Sequence, residues 1–160
     1  MATLPIVSLS ELKSMVNERG TANDARLEMM RDGVEAALCS ILGSPIVATD
    51  DITELADGNW DYSVSLRSWP VRSITSVHYD STGDGGVVFD SGNLLEATDY
   101  SLSMDGPQSA YSMTGRLRKR DGIWQGKYGR VQGYLTPQKT IGNGNIQVVY
   151  NAGWDSVPYD

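Results

Sequence analysis

The chain has 160 residues, 40% apolar and 21% charged, with a formal net charge of −7 and an isoelectric point near 4.6. That length fits one domain (1–160) with a real core, and the acidity argues against a protein that as a whole binds nucleic acid. A single cysteine, Cys39, excludes an internal disulfide, and no stretch approaches the about 18 consecutive apolar residues of a membrane span.

Met1-Ala2-Thr3-Leu4-Pro5 has neither a basic nor an apolar leader region, so no secretory signal and no membrane partner are expected. Residues 8–43 then read as two helices. Ser8 followed by Glu11 has capping-box spacing ahead of Leu12, Met15 and Val16. Gly20 offers a stop, and Thr21 with Asp24 a restart. In the second helix Leu27, Met30, Val34, Leu38 and Ile41 recur at helical spacing, with Gly43 as the C-terminal stop. Such a stripe covers either the protein's own core or a face shared with a neighbouring subunit. Cys39 falls in this pattern and reads as a small buried hydrophobe.

From Pro45 the period changes to two. Trp60, Tyr62, Val64 and Leu66 alternate with Asp61, Ser63, Ser65 and Arg67, the pattern of a half-buried strand. Trp69-Pro70 interrupts the chain, and Val71 to Tyr79 forms a second strand with Val71, Thr75, Val77 and Tyr79 on one face. A turn over Asp80 to Gly86 leads to Val87-Val88-Phe89. Tyr100, Leu102 and Met104 alternate with Ser101 and Ser103, Leu117 lies in a short basic strand, and Ile146, Val148 and Tyr150 mark a last strand. The expected fold is α+β: a short helical pair (8–43) packed on an antiparallel sheet or small barrel (44–160). The Gly-rich segment from Ile123 to Asn145 reads as a long loop, and with the basic run before it as a mobile arm over about 116–145.

Little in the chain points to catalysis. The one histidine, His78, has Ser76 and Asp80 as its alternating neighbours, which do not make a triad. One histidine and one cysteine cannot close a tetrahedral zinc site. Asp80-x-Thr82-x-Asp84-Gly85 imitates the first half of a calcium loop, but its twelfth position is Ser91 where a bidentate glutamate is needed. Gly142-Asn143-Gly144-Asn145 lacks the third glycine of a dinucleotide fingerprint and reads as a hairpin turn. No cofactor is expected.

Charge is what the sequence sorts. Arg116, Arg118, Lys119, Arg120, Lys127, Arg130 and Lys139 share their stretch with one acid, Asp121, so that stretch carries +6 and the rest of the chain −13. On a strand, Arg116, Arg118 and Arg120 face one way and Leu117 and Lys119 the other. Trp124, Tyr128 and Tyr134 nearby suit stacking or a subunit contact. Segregated charge of this kind suits a subunit or portal contact with an oppositely charged partner or another copy, with phosphate contact and a simply solvated face as the other readings. A β-rich module binding carbohydrate or calcium, through Trp60, Trp124 and the Asp80–Asp84 loop, is the alternative.

The order of motifs carries a resemblance. Leu66-Arg67-Ser68-Trp69-Pro70-Val71-Arg72-Ser73-Ile74-Thr75-Ser76-Val77-His78-Tyr79-Asp80 is followed by Asp99-Tyr100-Ser101-Leu102 and Gly115-Arg116-Leu117. Ile146-Gln147-Val148-Val149-Tyr150-Asn151-Ala152-Gly153-Trp154 and Val157-Pro158 close the series. Over roughly residues 8–158 the chain resembles the head–tail connector (adaptor, or head-completion) proteins of tailed bacteriophages. The resemblance implies a non-enzymatic virion component, made in the host cytoplasm, that assembles a dodecameric ring. The ring docks on the portal protein, extends the DNA channel and meets a neck or tail protein, while DNA passes through its lumen without sequence-specific binding. Family members usually continue past the Val-Pro position into a helical segment; this sequence ends at Asp160. A ring needs one patch to meet a different patch on the next copy, and a +6 segment on a −13 remainder supplies such a pair.

Overall fold

The computed structural model describes residues 5–81, 89–106, 110–126, 128–131, 134–137 and 144–155, with 128–131 and 134–137 described as backbone. Helix α1 (Leu9–Met15) opens with the expected capping box: Ser8 Oγ accepts from the Glu11 N–H at 3.2 Å and Glu11 Oε2 accepts from the Ser8 N–H at 2.8 Å. Bonds from Ser8, its hydroxyl foremost, hold the Glu11 carboxyl below the usual range. The helix ends well before Gly20, because Asn17 turns the chain at φ 56. Helix α2 (Asp24–Leu42) stops where expected, at Gly43 with φ 66, a left-handed conformation that costs glycine nothing. Lys13 and Asp24, 2.6 Å apart, tie the two helices together.

Eight strands follow: β1 (Thr49–Ala56), β2 (Ser63–Ser65), β3 (Val71–Tyr79), β4 (Tyr100–Leu102), β5 (Arg116–Lys119), β6 (Tyr128–Val131), β7 (Tyr134–Pro137) and β8 (Ile146–Ala152). They build two antiparallel three-stranded sheets, β1-β8-β3 and β2-β5-β4, and a β6–β7 hairpin. The fold is α+β, with two small sheets in place of a closed barrel. Central strand β8 buries every second residue (Ile146, Val148, Tyr150, Ala152), as its alternation predicts. Their side chains join Val64, Leu66 and Leu117 of the second sheet's segment, and Trp124, in one apolar cluster.

Four features differ from the sequence expectations. Strand β1 fell in a segment with no clear alternation. The strand expected over 60–66 is only three residues long, because Trp60 has φ 63 and leaves extended geometry. In β3 the register shifts between Ile74 and Ser76, so Ile74 packs on the core and Thr75, expected inside, is exposed. The loop expected over 123–145 contains the β6–β7 hairpin. The expected strand at Val87-Val88-Phe89 and the turn before it lie largely outside the described residues.

The helical pair adds nothing to the core. No residue of α1 or α2 is buried, and none belongs to the apolar cluster. The second sheet turns Ser63, Arg116, Arg118 and Ser101 outward, and the first Thr53, Leu55, Gln147, Val149, Asn151 and Thr75. Among the described residues the expected packing of the helices on the sheet is not seen, and a tether joins the two. Ser44 Oγ donates to the Trp69 carbonyl at 2.6 Å and accepts from the Trp69 N–H at 2.8 Å. Val47 is buried and bridges to Trp154. Gly153 makes that bridge possible: its φ is 91, and a Cβ there would strike the Val47 carbonyl.

Candidate functional site

The outer face of the β2-β5-β4 sheet collects the basic residues. Arg118 sits directly between Ser63 on β2 and Ser101 on β4, and Arg116 lies opposite Ser65. The Ser103 N–H donates to the Arg116 carbonyl at 2.9 Å, which carries this polar row one residue beyond β4. Period-two alternation turns Val64, Leu117 and Leu102 inward from the same strands. Arg116, Arg118 and the hydroxyls of Ser63, Ser101 and Ser103 line a surface groove of about 520 Å³, closed at one side by Asp61 and Tyr62.

The described cations outside the basic stretch divide: among the described residues Arg19 and Arg26 on the helical part have no ion pair, and four are paired. Lys13 reaches Asp24, Arg31 reaches Asp32, Arg67 reaches Glu54, and Arg72 reaches both Asp50 and Asp155. Among the described residues no carboxylate lies within ion-pair distance of Arg116, Arg118 or Arg120. The side chains of Ser63, Ser101 and Ser103 likewise make no hydrogen bond there. Donors are therefore presented outward with no internal acceptor, an arrangement suited to an incoming oxyanion.

The remaining basic-stretch residues divide. Arg120 is exposed just past β5, its N–H donating to the Asp99 carbonyl at 2.8 Å. Lys119 turns the other way, as alternation requires, and its ammonium lies 4.2 Å from the centre of the Tyr79 ring and 5.8 Å from that of Trp124. Burial holds the Lys119 ammonium below the usual lysine range, opposed by the carboxylates of Asp99 and Asp121. Trp124, expected at a contact surface, is 0% exposed: its ring packs edge-on against Tyr79 at 5.4 Å and its indole N–H donates to the Leu117 carbonyl at 3.3 Å. It is a core residue because Asp61 and Trp60 pair with its backbone and pull the ring beneath the sheet. Tyr128 and Arg130 belong to β6, whose backbone alone is described; Lys127 and Lys139 lie outside the described residues.

Of the calcium-like turn, Asp80 is buried and its backbone N–H bonds the Asn145 carbonyl, while Thr82 and Asp84 lie outside the described residues. Among the described residues no three His, Cys, Asp or Glu side chains gather to hold a metal ion. His78 meets Phe89 edge-on at 6.3 Å. With Trp124 in the core, the carbohydrate-module alternative loses one of its two platforms.

A second surface went unassigned in the sequence. Ile6, Leu12, Leu27, Met30, Val34 and Leu38 line an apolar groove of about 370 Å³ between the helices, rimmed by Arg31 and Glu35. Along α2, Met29, Val34 and Ile41 are 75%, 61% and 81% exposed. The stripe was legible; its exposure among the described residues was not. No family model, curated protein or solved structure matches this chain.

Proposed function

We propose that this chain is a structural head–tail connector of a tailed bacteriophage. It is a non-enzymatic subunit of an oligomeric ring that docks on the portal, extends the DNA channel and joins the head to the neck or tail. The observation that carries this reading is the apolar face of the helical pair, exposed among the described residues. A β body with an enclosed core, tethered to helices that expose an apolar face, is the form of a subunit finished by its neighbour.

The segments that carry the family resemblance support the reading. Pro70 leads into β3, Asp99 precedes β4 (Tyr100–Leu102), and Val148 to Ala152 ends β8 with Gly153 just beyond it. β3 pairs with β8 from Val71 to Tyr79, so two of the three motifs meet in one sheet. Surplus acid facing the channel would let DNA pass without holding its phosphates.

The test is sedimentation velocity and electron microscopy of the full chain, alone and mixed with tailed-phage portal rings. Annular particles with a central channel, or co-sedimentation with the portal, are expected. A chain that stays monomeric at all concentrations and does not sediment with portal rings overturns the reading.

A further inference from the structure

We propose that the Arg116–Arg118 groove is a docking site for an extended acidic segment of a partner protein, one that is not a copy of this chain. The proposal goes beyond the connector reading and stands on the sheet alone.

The first argument is spacing. Arg116 and Arg118 are two residues apart on β5, the middle strand of its sheet, so their side chains leave the same face about 6.6 Å apart. Same-face residues of any extended segment repeat at that distance. Acids at alternate positions of a partner strand therefore meet both guanidiniums at once. The second argument is unused bonding capacity. The two guanidiniums have no carboxylate among the described residues, and Ser63 and Ser101 flank Arg118 from both sides with free hydroxyls. Carboxylate oxygens accept from both donor types.

The third argument separates peptide from nucleic acid. Asp61 stands in the groove wall, its carboxylate kept there by the Tyr62 N–H at 2.6 Å. A polyphosphate, charged at every residue, cannot avoid setting a phosphate against that acid as it runs along the groove. A peptide instead lays an amide or a cation beside Asp61 and its carboxylates on the arginines. The fourth argument separates a foreign partner from a second copy. Twenty acids are present, yet no two of them stand at positions i and i+2 anywhere in the 160 residues. This chain carries no segment that matches the groove's repeat.

Fluorescence anisotropy of the full chain with labelled peptides tests the idea. The probes are an alternating Thr-Glu peptide, a peptide of the same composition with its glutamates in one block, and single-stranded oligothymidylate. The alternating peptide should bind saturably, weaken with salt, and bind several-fold tighter than the block peptide. The Arg116→Ala/Arg118→Ala double variant should lose about tenfold or more in affinity while keeping the wild-type melting temperature, since both side chains are exposed.

No saturable binding, equal binding of the block peptide, or affinity unchanged in the double variant overturns the proposal. Tighter binding of oligothymidylate overturns it in favour of phosphate. Loss of self-assembly in the double variant overturns it in favour of a second copy. Ring assembly that survives the double variant while peptide binding is lost supports the proposal, and keeps its outcome separate from that of the connector reading.

Discussion

The β body and the helical pair carry equally clear hydrophobic patterns, and only one of them is buried. In the β body, Val71, Val77, Ile146, Val148 and Tyr150 alternate and are fully enclosed. In α2, Leu27, Met30, Val34, Leu38 and Ile41 recur at helical spacing, and the helix has no buried residue. Periodicity fixes which residues share a face; it does not fix which chain supplies the opposing face. The strands find their partners within the chain because six of them close two facing sheets. Among the described residues the helices pack chiefly on each other.

The comparison breaks most directly at Trp124. Trp124→Ala removes the largest fully buried side chain and the support of Tyr79 and Lys119. A loss of about 3–5 kcal/mol in urea denaturation is expected, enough to leave much of a marginal domain unfolded; a cost under about 1 kcal/mol would mean the β body is not the self-sufficient part. Asn145→Ala comes next. Its amide accepts from the Gly58 N–H at 2.7 Å and donates to the carbonyls of Gln125 at 2.8 Å and Asp80 at 3.2 Å, joining three loops at the end of the sheets. Stranding those buried groups should cost about 2–3 kcal/mol, read in the same denaturation series.

Tyr150→Phe sharpens the comparison through pH. The Tyr150 hydroxyl donates to Glu54 Oε2 at 2.6 Å and accepts from the Ser68 N–H at 3.1 Å. Burial first, then the Glu54 bond, push the phenol up to about 12. A folded value above the unfolded one of about 10 means that the stabilisation is whole below pH 10 and lost as pH rises toward 12. Tyr150→Phe should cost about 1–2 kcal/mol at neutral pH and flatten the alkaline limb of the stability curve. An equally steep limb in the variant would assign the alkaline loss to other tyrosines.

These residues also mark how far the sequence could be read. Strand β8, most of β3, the Ser8–Glu11 cap and the Gly43 stop depend on local spacing, and local spacing is what a sequence displays. Strand β1 was illegible because Asp50, Asp51 and Glu54 interrupt its alternation. Glu54 points inward only because Tyr150 and the Arg67 N–H meet its carboxylate, partners remote in sequence. The arginine face followed from alternation within β5. Its serine flanks did not, because the order β2-β5-β4 brings Ser63 beside a strand that follows β4 in the chain. Trp124 was misplaced for a related reason: nothing local says that Asp61 will capture its backbone.

The smallest expected effect on stability is the one that decides what the helices are for. Ile41→Ser alters a side chain that is 81% exposed and touches no part of the β core, so the urea midpoint should move by no more than about 0.5 kcal/mol. In the proposed ring, with this face as its subunit contact, the same change sets a hydroxyl into an apolar contact and should abolish annular particles in sedimentation and microscopy. A loss of stability like that of Trp124→Ala would show that α2 belongs to the chain's own core, and the contrast between the two regions would collapse. Unchanged stability with intact rings would keep the contrast and move the subunit contact elsewhere. Only stability kept with assembly lost matches a helical face whose partner is another copy, since a contact between chains is absent from the equilibrium of one chain folding alone.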